Sequence, residues 1–337
     1  MKKNIFRIVL LTGTLISLFF VPWILVKAWI MPLPNTVQEQ VDDAIDYGFD
    51  GMIVYVDEAG KQPAFYTGGW KDRENKIPAD PKSLFKIASI SKLYVAVCIS
   101  KLAKDNRLSL DETLVTYFPE LTGRIEYADK ITLRMMVQHR SGIPNFTNNP
   151  AYWENEQENG KKALEFALDL PASFKPNKDY EYSNTNYLLL REILDKVLGY
   201  NHHQYIKEKI LLPLKLNNTF FSLKEVNIDD VMSGYYVGMA KDFKTNENGM
   251  LATAEDVGIF LRALNDGSVF NEGEKEIYSS IYEYEHGGLV PGYQSLAEYH
   301  EDIDAVVVQF INTTDFNGYE WNLSEIMINR IVKIIKR

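Results

Sequence analysis

Cysteine is all but missing from this chain: of 337 residues only Cys98 carries a thiol, so no disulfide can form within it. That absence leaves the compartment open, since many exported proteins also lack disulfides. Cys98 lies in an apolar run, where a small buried thiol is expected rather than a reactive one. Basic charge is scarce as well. Thirty-six Lys and Arg against 46 Asp and Glu leave a net charge of -10, which excludes the basic field a nucleic-acid partner would require. Histidine is limited to five, and His202, His203 and His300 show no metal-ligand spacing, so neither a metal site nor a cofactor is predicted. Repeats and low-complexity tracts are absent too. What is plentiful is core material, 46% of residues being hydrophobic, enough for one large domain or two.

One long uncharged run stands out. Lys2, Lys3 and Arg7 precede residues 8–26, and Lys27 follows. As a helix this stretch would cross a hydrocarbon layer of about 30 Å. Basic residues before it and an acidic remainder after it predict a single-pass cell-membrane protein with its bulk extracytoplasmic. Residues 1–34 are therefore expected to be a cytoplasmic stub and transmembrane helix. A cleaved signal peptide competes with this reading, but the run ends in Trp23, Trp29 and Met31 without a small-x-small site.

Past Pro32 and Pro34, residues 36–47 read as a polar helix, and 51–56 and 64–67 as a hairpin around Glu58, Ala59 and Gly60. Beyond Pro81 helical patterns take over: 87–104, 110–117, 133–138, 161–168, 186–198, 203–210 and 253–265. Strand texture returns at 294–299 and 305–311, and 323–335 closes with helical spacing. The predicted fold is α/β of the α+β type. An antiparallel sheet from residues 35–86 and 250–337, flanked by N- and C-terminal helices, carries an inserted all-α domain at 87–249. The cleft between the two is the default site.

Two S-x-x-K pairs occur, Ser83/Lys86 and Ser89/Lys92. On a helix this spacing sets a hydroxyl and an amine one turn apart on one face, where a desolvated lysine can serve as base for serine. Ser89 opens the most apolar helix of the chain, whose burial would lower the pKa of Lys92, whereas Ser83 follows Pro81 in a polar segment. Tyr182-Ser183-Asn184 stands before the helix at 186. A phenol beside a lysine can shuttle a proton, and an amide can bind both a substrate carbonyl and the lysine. His286-Gly287-Gly288-Leu289 enters a strand on two glycines, which permits close approach of a substrate backbone and a main-chain N–H aimed at an oxyanion. Taken singly, Ser89 could be a helix cap, the Tyr182 tripeptide a turn, and the His286 segment a tight loop.

Together and in order, these elements resemble the serine β-lactamase and penicillin-binding protein superfamily, nearest its class C-like branch of esterases and D-amino-acid peptidases. The resemblance runs from about residue 51 to 312, carried by "SLFKIASISKLYVA", "LDETLVTYFPE", "ITLRMMVQHRSGIPNF", "FKPNKDYEYSNTNYLLL", "ILLPLKLNNTFF", "NGMLATAEDVGIFLRAL" and "HGGLVPGYQS". It implies Ser89 as acyl-enzyme nucleophile, Lys92 as base, and Tyr182 as proton donor to the leaving group. It also implies that Asn184 orients the acyl side chain and that the amides of Ser89 and Leu289 form the oxyanion hole. "HRSGIP" matches a structural loop, so His139 receives no catalytic role. Penicillin-directed members usually carry Lys-Thr-Gly where this chain has His286-Gly287-Gly288, and a neutral imidazole is a weaker carboxylate partner than an ammonium. The expected activity is therefore a serine hydrolase acting on D-amino-acid or cell-wall peptides or small esters. A β-lactamase and a non-catalytic tethered module binding peptidoglycan or a partner protein are the alternatives.

Overall fold

The computed structural model describes residues 2–154, 160–247 and 249–337. Its central feature is a six-stranded antiparallel sheet. The strands are β1 (Gly51–Glu58), β2 (Ala64–Asp72), β3 (Ile77–Pro78), β8 (His286–Val290), β9 (Tyr293–His300) and β10 (Ala305–Ile311), in the order β3-β2-β1-β10-β9-β8. Short strands β4 (Phe85–Lys86), β5 (Thr219–Phe220) and β7 (Leu251–Ala252) form a second sheet, and β6 (Tyr235–Tyr236) pairs with β11 (Thr313–Thr314). Both ends of the chain thus meet in the main sheet, with Met52 opposite Ile311 and Val56 opposite Val307.

The sheet is covered on both faces, which explains why β10 is apolar almost throughout and buried at every position. Met52, Val54, Val56, Val307 and Ile311 face a layer made by the helices Val37–Ile45 and Glu320–Ile335. Ile53, Tyr55, Val306, Val308 and Phe310 face the opposite way, toward Val257, Phe260 and Leu261 of the helix Ala254–Asp266 and the wholly buried apolar residues of Ser91–Lys104. Gly258 is required at this contact, because a Cβ there would stand 2.2 Å from the Tyr55 ring. The segment at 161–168 departs from the expected helix. It forms a 3-10 run, Gly160–Phe166, broken at Lys162, because Ala163 and Ala167 pack into a satellite cluster with Phe146 and Tyr152.

The expectation of one transmembrane helix over 8–26 requires correction. The chain forms two helices, Lys2–Leu18 and Trp23–Ile30, and among the described residues no single helix is long and apolar enough to cross a membrane. Leu10–Leu18 and Trp23–Ile30 meet that test only as a pair bent by 79°. Pro22 is the cause: it lacks an N–H and cannot continue the first helix, so it caps the second. The second helix is fastened to the domain. Ala28 is fully buried, and Arg330, itself buried, donates to the carbonyls of Ala28 (3.2 Å), Met31 (2.7 Å) and Pro32 (2.8 Å) and to Gln40 Oε1 (2.6 Å). A cation at carbonyls left free by a helix C-terminus satisfies groups that water would otherwise hold.

Replacing Arg330 by Ala should therefore destabilise the full chain by about 3 kcal/mol, the cost of stranding several buried acceptors. Thermal unfolding with limited proteolysis tests this: the melting point falls and residues 22–34 become cleavable. An unchanged melt and cleavage pattern would show that the second helix is not held by this contact.

Candidate active site

Ser89 sits on a 3-10 turn, Ala88–Ile90, that runs straight into the helix Ser91–Lys104. The turn is pinned from both sides. Phe85, just before it, stacks on Phe310 at 4.4 Å and meets Tyr293 edge-on at 5.0 Å, tying the segment to the main sheet. Ile87 N–H donates to Met250 O at 3.1 Å. Ala88 carries φ of +47°, a left-handed backbone that costs a non-glycine residue on the order of 1 kcal/mol. The turn abuts β8, the open edge of the main sheet. A Cβ at Gly288 would lie 2.4 Å from Ile87 O, so only glycine lets the two backbones come this close.

Lys92 lies one turn after Ser89, and the hydrogen bonds converge. Lys92 Nζ donates to Ser89 Oγ at 2.9 Å and to Asn184 Oδ1 at 2.9 Å, and the Tyr182 hydroxyl donates to Ser89 Oγ at 2.7 Å. Tyr182 and Asn184 are delivered by the start of the helix Asn184–Leu198, whose Asn184 N–H is held by Asn145 Oδ1 at 3.1 Å. Two local pairs, about ninety positions apart in sequence, thus share one cluster, with Ser89 half-buried and Lys92 buried.

Burial sets the charges. Desolvation, with the Arg191 charge second, holds the Lys92 amine well below the usual lysine range. Desolvation pushes the Tyr182 phenol up to about 12, against the Ser89 hydrogen bond that lowers it. Both shifts favour the uncharged forms, a free amine beside a neutral phenol. With Lys92 unprotonated, the 2.9 Å contact can reverse, the amine accepting the Ser89 proton.

The His286 segment forms β8. Counting alternation from the closing pair Val290–Tyr293 of the hairpin, Gly287 and Leu289 turn their N–H and C=O groups to the open edge. Leu289 N–H and Ser89 N–H thus belong to the two backbones that meet here. Gly287 faces Trp321, whose ring tip lies 2.7 Å from where a Cβ would be, so a larger residue has no room. His286 is held neutral, its pKa lowered to about 4 chiefly by burial. Both its nitrogens are engaged, Nδ1 with Gly287 O and Nε2 with the Tyr282 hydroxyl at 2.9 Å, so neither is free toward the cleft.

His139, which the sequence assigns to a structural loop, stacks under Tyr182 with centroids 4.4 Å apart, and its Nδ1 accepts from Ser183 N–H at 3.1 Å. Burial chiefly brings its pKa down to about 3, which makes it a neutral prop. Other neighbours escaped the sequence reading. Tyr187, Tyr282 and Arg191 complete the wall. Tyr187 and Arg191 recur with Asn184 on one helix face, a periodicity that could have revealed them. The other S-x-x-K pair does not assemble. Among the described residues buried Ser83 Oγ has no hydrogen-bond partner, while Lys86 reaches away to the Phe243 and Asn246 carbonyls at 2.6 Å. Among the described residues no three His, Cys, Asp or Glu side chains gather as a metal site would need.

The chain resembles known proteins in sequence and in fold. The chain is 27% identical over 195 residues to Protein flp of Staphylococcus aureus (strain MW2), covering 56% of this chain and 39% of that protein. It is 28% identical over 175 residues to Penicillin-binding protein 4* of Bacillus subtilis (strain 168), covering 51% and 38%. It therefore spans about two fifths of the length of these curated relatives. In fold it matches the D-amino acid amidase from Ochrobactrum anthropi SV3, solved with L-phenylalanine, with a TM-score of 0.79, 22% identity and coverage of 90% of this chain and 98% of that one. The Beta-lactamase family model matches residues 33–280, and the chain belongs to that family.

Proposed function

We propose that this protein is a serine hydrolase that cleaves amide or ester bonds through an acyl-enzyme on Ser89. The observation that carries the reading is the Ser89 hydroxyl held between an amine at 2.9 Å and a phenol at 2.7 Å, both uncharged at rest. In acylation, Lys92 takes the Ser89 proton as Oγ bonds to the substrate carbonyl carbon. The carbonyl π pair moves to oxygen, which faces the Ser89 and Leu289 N–H groups. Collapse breaks the C–N or C–O bond, Tyr182 gives its proton to the leaving group, and the Lys92 ammonium restores it. Water reverses the sequence and frees Ser89. Asn184 bonds the lysine through Oδ1 and offers its amide to the acyl group.

Short D-amino-acid peptides, cell-wall stem peptides and small esters are the proposed substrates. The fold likeness to a D-amino acid amidase and the relationship to a penicillin-binding protein support this choice. Nothing at the β8 edge favours β-lactams: Trp321 fills the space opposite Gly287, and His286 is neutral and occupied. We further propose that the domain is tethered at the outer face of a membrane. Phe19, Phe20 and Trp29, exposed by 87%, 81% and 74% around the elbow, support that placement, as do the basic residues before it.

Covalent labelling tests the chemistry. A fluorophosphonate should modify Ser89, and penicillin should do so slowly or not at all, as read by peptide mass spectrometry. Ser89→Ala should lower turnover on the order of a thousand-fold or more, while Ser83→Ala leaves it nearly unchanged. Equal losses in the two variants, or labelling elsewhere, would contradict the assignment.

The pH dependence follows from the charges. Lys92 works as the free amine, so kcat/KM rises with pH through the Lys92 titration, below the ordinary lysine range. His139 at about 3 and His286 at about 4 are already neutral above those values. A His286→Gln variant should therefore keep the acidic limb where it is. A limb that disappears with His286 would mean an imidazole, not Lys92, is the base.

A further inference from the structure

Arg191 has no place in the chemistry so far, yet its surroundings are specific. Along the helix Asn184–Leu198, Asn184, Tyr187 and Arg191 share one face. The first two both meet Lys92: Asn184 Oδ1 accepts from Nζ, and Nζ stands 5.5 Å from the Tyr187 ring centroid. Arg191, one turn on, donates from Nη2 to Ser91 Oγ at 3.0 Å, and Ser91 is the residue before Lys92. Among the described residues no carboxylate pairs with this guanidinium, neither Glu192 beside it nor Asp195 one turn on, which is bound to the His202 ring at 2.7 Å. A half-buried guanidinium without an acid partner is destabilising, so a compensating role is to be sought in what its charge does.

The groups facing Lys92 come from every surrounding element: Ser89 on the turn, Tyr182, Asn184 and Tyr187 from the helix region, His139 from the loop behind, His286 on β8, and Tyr282 before it. All are neutral at rest, and among the described residues Arg191 is the charged group whose field acts on Lys92, in the same direction as burial.

We propose that Arg191 is a positioning residue for acylation: Ser91 anchors its charge behind Lys92, where it opposes a second positive charge and presents the lysine to Ser89 as a free amine. The same field opposes the ammonium formed when Lys92 takes the Ser89 proton, and so favours passing that proton on to the leaving group. This inference rests on the acyl-enzyme reading above.

The test uses the full chain in detergent, with a p-nitrophenyl ester and a fluorophosphonate, following kcat/KM and the rate of Ser89 labelling across pH. Removing the charge lets Lys92 hold its proton to higher pH. In Arg191→Met the acidic limb should therefore move up by about one pH unit, a roughly ten-fold loss on that limb, with the alkaline plateau nearly kept. Arg191→Gln, which can still bond Ser91 but has no charge, should move the limb alike, and Arg191→Lys should restore it. The glutamine variant carries the test if the methionine variant does not fold. A loss uniform across pH, or a limb unmoved in a folded Gln variant, overturns the proposal while leaving the acyl-enzyme reading intact. A wild-type protein that is never labelled at Ser89 overturns both.

Discussion

An ammonium withdrawn from water without a carboxylate to meet it is costly, by several kcal/mol even after relaxation. Burial shifts Lys92 toward giving up its proton, its amine held well below the usual lysine range. The helix that carries it, Ser91–Lys104, is buried along nearly its whole length, wedged between one face of the sheet and the helices of the middle of the chain. That burial is a property of the core, not of the site. The chemistry is therefore drawn from the same hydrophobic packing that holds the domain together.

The placement of Ser89 depends on a second constraint, the approach of two backbones. The Ser89 turn can lie on the β8 edge because Gly288 has no side chain and because Ala88 accepts an unfavourable φ. Phe85, stacked on Phe310, supplies the packing that holds the strained turn in place. The same edge carries, where a Lys-Thr-Gly pattern would stand, a neutral imidazole already bound to Tyr282 and a glycine under Trp321.

Much of this was legible in the sequence where the signal is local. The strands at 51–56 and 305–311 are apolar runs, and the helices at 253–265 and 323–335 have clean periodicity; each appears within a few residues of its expected bounds. The choice between the two S-x-x-K pairs followed from which one opens an apolar helix, and the structure gathers Ser89, Lys92, Tyr182 and Asn184 while Lys86 turns to backbone carbonyls elsewhere. Non-local features were not legible. Nothing near Arg330 announces that it will bind carbonyls some three hundred residues earlier, nor does residue 282 announce its hydrogen bond to His286. The break at Pro22 was readable, since a proline inside an apolar run ends a helix, but hydropathy alone passes over it.

The central claim is the protonation state of Lys92, and NMR titration of the lysine side chains reads it directly. With 13C-labelled lysine, and the Lys92 resonance assigned by its absence in Lys92→Arg, the ε-carbon should titrate well below the ordinary lysine value while surface lysines titrate near it. A Lys92 signal that stays in its charged form through neutral pH, titrating together with the surface lysines, would contradict the account.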